Sequence, residues 1–339
     1  GVVLDAVWVD GYFMTTDGEF LVVTELNDPT SVLPAKYGSS ESDPDPVVAV
    51  KRVRNEVYAV NRYSIEAFSN VGGNGFPFAR IEGAKVTKGA VGTHAVCVYI
   101  EALAFVGSGY NEAPGVYLGI NAQAQKISTV EVDRLLASYT EEQLSQTVME
   151  TRNDNNAQHL YIHLVDRTLV YDAAASQALG SQVWFVLTSA LRDFSIYRAR
   201  YFVWCFDRWN AADPASFNVG YLTTSTSAHY GDAVRWEFGT SIIYNESRGA
   251  IINELELVSL TGRVALGKDP VISTAHSYDG QVWTQERPIN VGTVGNRLQR
   301  IVWFRNGSMS QMRMQRFRGT SDAHVSFLRL EAQIEGLAV

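Results

Sequence analysis

The sequence has little cysteine, no long apolar run and none of the short motifs that mark common catalytic sites. Its 339 residues include two cysteines, Cys97 and Cys205, each within an apolar run. That placement is typical of buried free thiols. Without a CxxC pair, the sequence predicts neither a zinc site nor a redox site. No apolar run approaches the roughly 20 residues that a bilayer-spanning helix requires, so no membrane span is expected.

Motifs for catalysis are equally scarce. No G-x-S-x-G turn is present to carry a nucleophilic serine. His159 and His163 are four residues apart, but the alternating pattern around them predicts a strand, which separates them by about 13 Å. That distance is too large for two ligands of one metal ion, whose bonds are about 2 Å long. We therefore expect no enzyme activity, no metal and no cofactor.

Basic residues are in the minority. The sequence holds 28 Lys and Arg against 36 Asp and Glu, so its formal net charge is −8. A surface of that sign repels nucleic-acid phosphates, and no sequence-specific nucleic-acid binding is expected. An acidic protein surface would still allow DNA to slide past it without binding. A hydrophobic content of 46% is ordinary for a folded protein.

The composition that is present favours strands and turns. Val, Ile, Tyr, Phe and Trp are frequent, and 27 glycines interrupt them. A hairpin or short sheet recurs about every 40 to 55 residues, which is the period of β-propeller blades. We predict a mainly β protein with a β-propeller-like array of antiparallel blades in residues 1–250 and a β-rich C-terminal module in residues 251–339. Residues 69–78 are predicted as a loop that crosses between sheets.

One stretch departs from the β pattern. Ser128–Glu131 and Thr140–Gln143 both read as capping boxes, in which a hydroxyl side chain and a Glu or Gln satisfy free backbone N–H groups. Apolar residues follow at helical spacings of three and four: Val132, Leu135, Leu136, Tyr139, Leu144 and Val148. The pattern predicts two short helices that meet at residues 138–140, inserted over about 128–150. A strand hairpin is predicted after them.

The helical pair is our candidate contact element, because helices are not part of blade geometry. Its predicted exposed residues are Arg134, Glu141, Glu142 and Gln146.

A second candidate lies near the C-terminus, where aromatic residues alternate with Arg300, Arg305, Arg313, Arg316 and Arg318. This basic strip either meets a phosphate or an acidic partner, or forms solvated strand faces.

A further motif raises an alternative function. Residues 277–283, SYDGQVW, resemble a degenerate Asp-box, a hairpin of sialidase-type propellers in which the Asp caps the turn. Together with the abundant aromatic residues, it leaves open a glycan-binding or glycan-cleaving β-propeller. The expected role of Asp279 itself is structural.

The stretches that carry a family resemblance are SYTEEQL (138–144), VME (148–150), IHL (162–164) and LVYDA (169–173). Around them, IEAF (65–68), GAVGT (89–93) and SYDG (277–280) follow in the same order. In these stretches the sequence resembles the packaged-DNA stabilisation proteins, the tail hub or nozzle proteins of short-tailed bacteriophages. Members of that family usually carry a further strand-rich N-terminal segment, so this sequence is expected to begin after it.

The resemblance implies a structural role in the virion tail, with synthesis in the bacterial host cytoplasm. It implies a homo-oligomeric ring, by resemblance a hexamer, below the portal and its adaptor protein. Such a ring closes the DNA exit channel, retains packaged DNA and attaches the tail needle, with the tailspike as a further partner. No cofactor is implied.

Overall fold

The computed structural model describes residues 2–40, 43–120, 122–154, 156–192, 195–246, 248–264, 266–320 and 325–337. They form two compact units: unit 1 comprises Gly1–Leu187 and unit 2 comprises Thr188–Val339. Strands dominate both units, as the sequence predicts.

Unit 1 contains four antiparallel sheets that follow one another along the chain. Sheet 1 consists of β1 (Asp5–Val9), β2 (Tyr12–Thr16), β3 (Phe20–Val23) and β4 (Tyr37–Ser39), with a 3-10 turn at Pro34–Lys36. Sheet 2 consists of β5 (Val47–Val53), β6 (Glu56–Asn61), β7 (Ile65–Asn70) and β8 (Phe78–Arg80). Sheet 3 consists of β9 (Gly89–Ala90), β10 (Val96–Tyr99), β11 (Ala102–Ser108), β12 (Gly115–Ile120) and β13 (Gln123–Lys126). Sheet 4 consists of β14 (Val148–Asp154), β15 (Ala157–His163), β16 (Thr168–Asp172) and β17 (Val183–Leu187).

Consecutive strands pair in sheets 1, 2 and 4 and from β10 to β13 in sheet 3, where β9 pairs with β11. This is the meander expected of propeller blades. A further sheet of the same kind, sheet 5, lies in unit 2 and consists of β18 (Arg200–Cys205), β19 (Arg208–Ala212) and β20 (Val219–Tyr221). The meanders of the five sheets begin at Asp5, Val47, Val96, Val148 and Arg200, which are 42 to 52 residues apart. This spacing confirms the predicted recurrence.

Each pair of neighbouring sheets in unit 1 shares an apolar core. Sheets 1 and 2 bury Met14, Leu21, Val50 and Val57. Sheets 2 and 3 bury Val60, Ile65, Leu103 and Phe105. Sheets 3 and 4 bury Val106, Val116, Leu160 and Ile162. Burying each such side chain contributes roughly 1.5–3 kcal/mol, so the four sheets stabilise one another through the faces between them.

The predicted helical pair is present as α1 (Val130–Ala137) and α2 (Glu141–Ser145), with Val132, Leu136 and Leu144 buried in the core shared by sheets 3 and 4. The capping box at Thr140 and Gln143 is confirmed. The first predicted box is wrong by one residue, since the cap of α1 is Thr129. The hydroxyl of Ser128 instead accepts the N–H of Val116 and donates to Asp133.

Two features differ from the sequence predictions. Residues 71–77 do not cross between sheets, because β7 and β8 on either side of them pair with each other and the segment closes a hairpin of sheet 2. A third helix, α3 (Ala173–Leu179), follows β16 and was not predicted. Asp172 caps it by accepting the N–H of Ala175.

The rest of unit 2 is built from two sheets. Sheet 6 holds β21 (Trp236–Gly239), β22 (Ile243–Tyr244), β24 (Val271–Ser277), β25 (Arg287–Asn290) and β28 (Met312–Gly319); sheet 7 holds β23 (Ala250–Leu260), β26 (Val302–Phe304), β27 (Ser308–Met309) and β29 (Ser326–Gly336). The two sheets share a core that includes Leu255, Leu257, Ile272, Trp303 and Phe317. Strand β21 lies before residue 250 and pairs with β28; the domain boundary at 250 stays a prediction.

Candidate partner-contact site

The four residues predicted for partner contact all lie on the surface of the helical pair. Arg134 is on α1, Glu141 and Glu142 form the first turn of α2, and Gln146 is the C-cap of α2. The side chains of all four residues are exposed. Carboxylates in the first turn of a helix are stabilised by its partial positive charge, so this end of α2 presents a fixed acidic pair to solvent.

Side-chain hydrogen bonds fix the helical pair in place. The hydroxyl of Tyr139, between the helices, donates to Asp166 at 2.5 Å, and burial together with this bond raises the pKa of Tyr139 to about 12. Thr140 accepts the N–H of Gln143, and the Gln143 side chain accepts the N–H of Thr140. The exposed residues are therefore carried on a fixed element, which lowers the entropy cost of binding.

One predicted contact residue already has a partner in the chain. Arg62, which follows β6, donates to Glu141 at 2.9 Å. Its guanidinium also lies over the ring of Tyr63 at 4.4 Å, and Tyr63 stacks on Tyr110. Of the two carboxylates, Glu142 is thus the one whose side chain makes no ion pair with the described residues.

An apolar cleft adjoins the helical pair. It has a volume of about 370 Å³ and lies between α1 and β17, lined in part by Thr129, Leu135, Trp184 and Phe185. The indole of Trp184 donates to the carbonyl of Ile127 at 3.0 Å and fixes one wall. The sequence did not indicate this cleft, because its walls come from segments about fifty residues apart. It adds a concave apolar feature beside the charged residues.

Sheet 5 exposes an unusual amount of apolar surface. Its exposed large side chains are Tyr201, Val203, Trp204, Phe206, Phe217, Val219 and Tyr221. Phe206 and Asp207, at the tip of the β18–β19 hairpin, both have positive φ, and Phe206 is 87% exposed. An aromatic residue in this backbone region is strained. Large exposed apolar side chains concentrated on one sheet are typical of an interaction surface, and only the turn residues distinguish this sheet in the sequence.

The five arginines of the basic strip do not form one surface. Arg313 is fully buried between the sheets of unit 2. Arg316 and Arg318 lie on the opposite face of β28 and pair with Glu237 and Glu286.

Arg300 pairs with Glu254 and Glu256, which raises its pKa. Arg305 is exposed and makes no ion pair with the described residues. The strip as a contact site stays a prediction, but its charge is largely neutralised within the chain.

The other singled-out residues have structural roles. His159 lies 3.3 Å from Asp172, and His163 lies 2.8 Å from the hydroxyl of Thr168. In the described ranges, no group of three or more His, Cys, Asp or Glu residues could hold a metal ion. Burial raises the pKa of the Cys97 thiol to about 12, so the thiol is protonated at pH 7.

The Asp-box-like turn is structural, as predicted. Asp279 accepts the N–H groups of Gln281 and Val282 at 2.8 and 2.9 Å. The ring of Trp283 lies 4.1 Å from the guanidinium of Arg316.

No helix in the described part of the chain is both long enough and apolar enough to span a bilayer.

Comparison with known proteins gives two family matches. Residues 1–227, which include sheets 1 to 5, match the model described as bacteriophage P22 Gp10, beta-propeller. Residues 235–335, which include sheets 6 and 7 except for the last residue of β29, match the model described as bacteriophage P22 Gp10, beta-sandwich. The β-propeller prediction is thereby confirmed, and the C-terminal module is a β-sandwich.

The chain is also similar to individual proteins. The tail hub protein gp10 of Salmonella phage P22 is 29% identical over 303 residues, which cover 88% of this chain and 62% of that protein. This chain therefore spans less than two thirds of that relative.

Among solved structures, an exo-beta-1,3-galactanase from Phanerochaete chrysosporium is 8% identical with a TM-score of 0.29, covering 97% of this chain and 80% of that one. An arabinoxylan arabinofuranohydrolase from Bacillus subtilis is 10% identical, also with a TM-score of 0.29, covering 97% of this chain and 78% of that one. Similarity this weak carries no argument about activity. The family matches span most of the sequence, and the chain belongs to the bacteriophage P22 Gp10 family.

Proposed function

We propose that this protein is a structural subunit of a short-tailed phage tail, acting as the hub and without an enzymatic step. The observation that carries the proposal is its family membership together with a 29% identical relative named as a tail hub protein. The fixed helical pair with its adjoining cleft, and the apolar surface of sheet 5, supply candidate surfaces for neighbouring subunits.

The finer role follows from the resemblance. The subunits form a ring, a hexamer by resemblance, below the portal adaptor, and the ring narrows the DNA exit channel and attaches the tail needle. Closed rings of identical subunits use two different faces of each subunit. The net charge of −8 suits a channel through which DNA must pass without adhering.

We infer that sheet 5 contacts a second copy of the chain. Among the described residues, sheets 1, 2 and 4 each have four strands and sheet 5 has three. An incomplete sheet with an exposed apolar face is suited to strand addition or packing by a neighbour. The neighbour would cover the exposed Val203, Val219 and Tyr221.

The hub proposal is tested with phage particles that lack the protein. Particles are expected to package DNA and then lose it, measured as nuclease-accessible DNA and as empty heads by electron microscopy. Particles that retain DNA normally would contradict the proposal.

The sheet 5 contact is tested separately, by Phe206→Asp. The matched control is Leu298→Asp, at a residue that is 94% exposed in the same unit. Phe206→Asp is expected to reduce incorporation into tails at least tenfold and the control to leave it unchanged, as measured by quantitative immunoblotting of purified virions. Equal incorporation of both variants would refute the contact, and unchanged thermal unfolding of both shows that folding is intact.

The helical pair is tested by Glu142→Lys combined with Arg134→Glu. Neither side chain has an ion-pair partner among the described residues, so the fold is expected to remain intact. Incorporation into tails should fall, whereas Glu19→Lys, on the exposed β2–β3 turn, should not change it. Full incorporation of the double variant would remove this surface from the proposal.

A further inference from the structure

A cleft of about 750 Å³ opens on the β-sandwich of unit 2. Its walls include His276, Thr284, Arg287, Phe304, Arg305 and Asn306. They come from the ends of β24 and β25 and from the turn that follows β26. The volume is in the range of small-molecule sites.

Two guanidinium groups bond the same wall residue of this cleft, Asn306. Arg287 donates to the side-chain oxygen of Asn306 at 2.9 Å, and Arg313 donates to the backbone oxygen of Asn306 at 2.5 Å. Arg287 also donates to the carbonyls of Phe304 and Arg305. All these acceptors are neutral, so the turn is held in place while the positive charge of both side chains is left uncompensated.

The charge pattern of the sandwich is therefore uneven. Arg300, Arg316 and Arg318 each pair with glutamates. By contrast, across the described residues no carboxylate lies within ion-pair distance of Arg287, Arg305 or Arg313. Glu286, an acidic residue of the cleft wall, already accepts hydrogen bonds from Arg316 and Arg318. Arg287 and Arg305 in the cleft wall, and the buried Arg313 that donates to the wall residue Asn306, thus have no carboxylate partner among the described residues.

The positive charges of these arginines affect a histidine in the same wall. His276 lies between the hydroxyls of Tyr278 and Thr284. Burial and the charges of Arg313 and Arg287 lower its pKa to about 4. It therefore stays neutral at pH 7 and adds no charge to the wall, and both of its ring nitrogens are engaged by these hydroxyls.

The cleft also has an apolar wall beside Arg305, the arginine that makes no ion pair with the described residues. Phe304 is 59% exposed, and the next residue, Arg305, is exposed with a positive φ of 54°. The N–H of Arg305 donates to the carbonyl of Asn253 at 2.8 Å, which fixes the backbone there. An aromatic face and an unpaired guanidinium are thereby presented side by side.

We propose that this cleft binds an organic anion. Its carboxylate or phosphate group is held by Arg305 in the field of Arg287 and Arg313, and the body of the ligand lies against Phe304. Guanidinium groups bind both kinds of oxyanion through paired hydrogen bonds. This site goes beyond the proposed tail-hub role and does not depend on it.

Binding is tested by calorimetric titration of the full chain at low ionic strength with matched sugars. Glucuronate supplies a carboxylate, glucose 6-phosphate supplies a phosphate, and glucose is the neutral control. At least one of the two anions is expected to bind at least tenfold more tightly than glucose, and the tighter one identifies the head group. Failure of both anions to bind more tightly than glucose would overturn the proposal.

The residues are tested with the anion that binds. Arg305→Gln should weaken binding about tenfold or more, the expected effect of losing a charge-assisted hydrogen bond, and Phe304→Ala should weaken it by a smaller factor. Arg297→Gln is the control, at an exposed arginine of the same unit that does not line the cleft, and it should bind like the unaltered chain. Equal affinity of Arg305→Gln and Arg297→Gln would refute the site. Inorganic phosphate that binds as tightly as glucose 6-phosphate would refute the contact with Phe304.

Discussion

Arg62, at the end of a strand of sheet 2, donates to the carboxylate of Glu141 on helix α2. The arginine side chain is 16% exposed and the glutamate 67% exposed. The ion pair thus joins the surface of the helical pair to a more buried cation of the blade array. Any test of Glu141 as a partner contact also changes the attachment of α2, whereas Glu142 is free of that second effect.

The first prediction compares Glu141→Gln with Glu142→Gln. Both variants remove one negative charge from the first turn of α2, so they lose the same favourable interaction with the helix dipole. Only Glu141→Gln also loses the ion pair with Arg62. We expect it to lower the free energy of unfolding by about 0.5–1 kcal/mol more than Glu142→Gln, as measured by urea denaturation.

Salt provides a control for the comparison of Glu141→Gln with Glu142→Gln. Raising ionic strength from 0.1 to 1 M shortens the screening length from about 10 Å to about 3 Å, so the difference between the two variants should shrink. A difference that persists unchanged in 1 M salt would show that the ion pair is not its cause.

The second prediction concerns the close approach of β9 and β11 in sheet 3. A methyl group on Gly107 would overlap the carbonyl oxygen of Gly89 on the paired strand. Neither backbone can move without disturbing the core between sheets 2 and 3. Gly107→Ala is therefore expected to lower the free energy of unfolding by about 2–3 kcal/mol, measured by thermal and urea unfolding.

Gly75→Ala is the matched control in the same unit. An added methyl there meets only the carbonyl of Ala35, at 3.6 Å, and φ is not positive. Its stability should equal or slightly exceed that of the unaltered chain, because Ala reduces the entropy of the unfolded state. Equal effects of the two substitutions would contradict the packing argument.

Local patterns explain which parts of the fold could be predicted. The capping box at Thr140 and the alternation of Leu160 and Ile162 involve residues within a few positions of one another, so sequence spacing reports them directly. The cap of α1 was displaced because Ser128 bonds to Val116, a partner on another strand. Helix α3 escaped prediction because AAASQAL has no apolar period, and only Ser176 on it is buried.

The same limit applies to the candidate sites. The sequence placed Arg134 and Glu142 on the surface, since helix phase follows from local spacing. It could not separate Arg313 from Arg316, because the acids that neutralise Arg316 lie about thirty and eighty residues away. The sequence did not identify Arg287 as a site residue for a related reason. Its hydrogen-bond partner Asn306 lies in the turn that follows β26.

The third prediction is a pH dependence at Asp213. Its carboxylate is fully buried and accepts hydrogen bonds from Arg198, Ser216 and Ala215, which lower its pKa to about 2. A pKa that is lower in the folded state than in the unfolded state stabilises the fold above the unfolded value, near 4. That stabilisation is lost as the pH falls from about 4 towards 2.

Asp213→Asn removes the titrating group and serves as the comparison. Urea unfolding should find the variant less stable by a constant amount between pH 7 and pH 5, with a gap that narrows below pH 4. A gap of the same size at pH 3 and pH 7 would show that Asp213 does not titrate as described.

The fourth prediction tests the buried guanidinium of the sandwich by Arg313→Lys. Arg313 donates through two of its nitrogens to the side-chain oxygen of Gln315, and through the third to the carbonyl of Asn306. Lysine keeps the charge but cannot reproduce this planar fork. The charge then remains buried with fewer hydrogen bonds, and the free energy of unfolding should fall by about 2–4 kcal/mol.

Arg300→Lys makes the same chemical change at an arginine that is 61% exposed. Lysine can still pair with Glu254 or Glu256 there, so a much smaller loss of stability is expected than for Arg313→Lys. Differential scanning calorimetry of the two variants separates the contribution of the fork from that of the charge. If both variants unfold at the same temperature, the buried hydrogen bonds of Arg313 do not stabilise the sandwich. In that case the hydrogen bonds from Arg287 and Arg313 to Asn306 would not hold the turn beside Arg305 rigid. The anion cleft requires that rigidity.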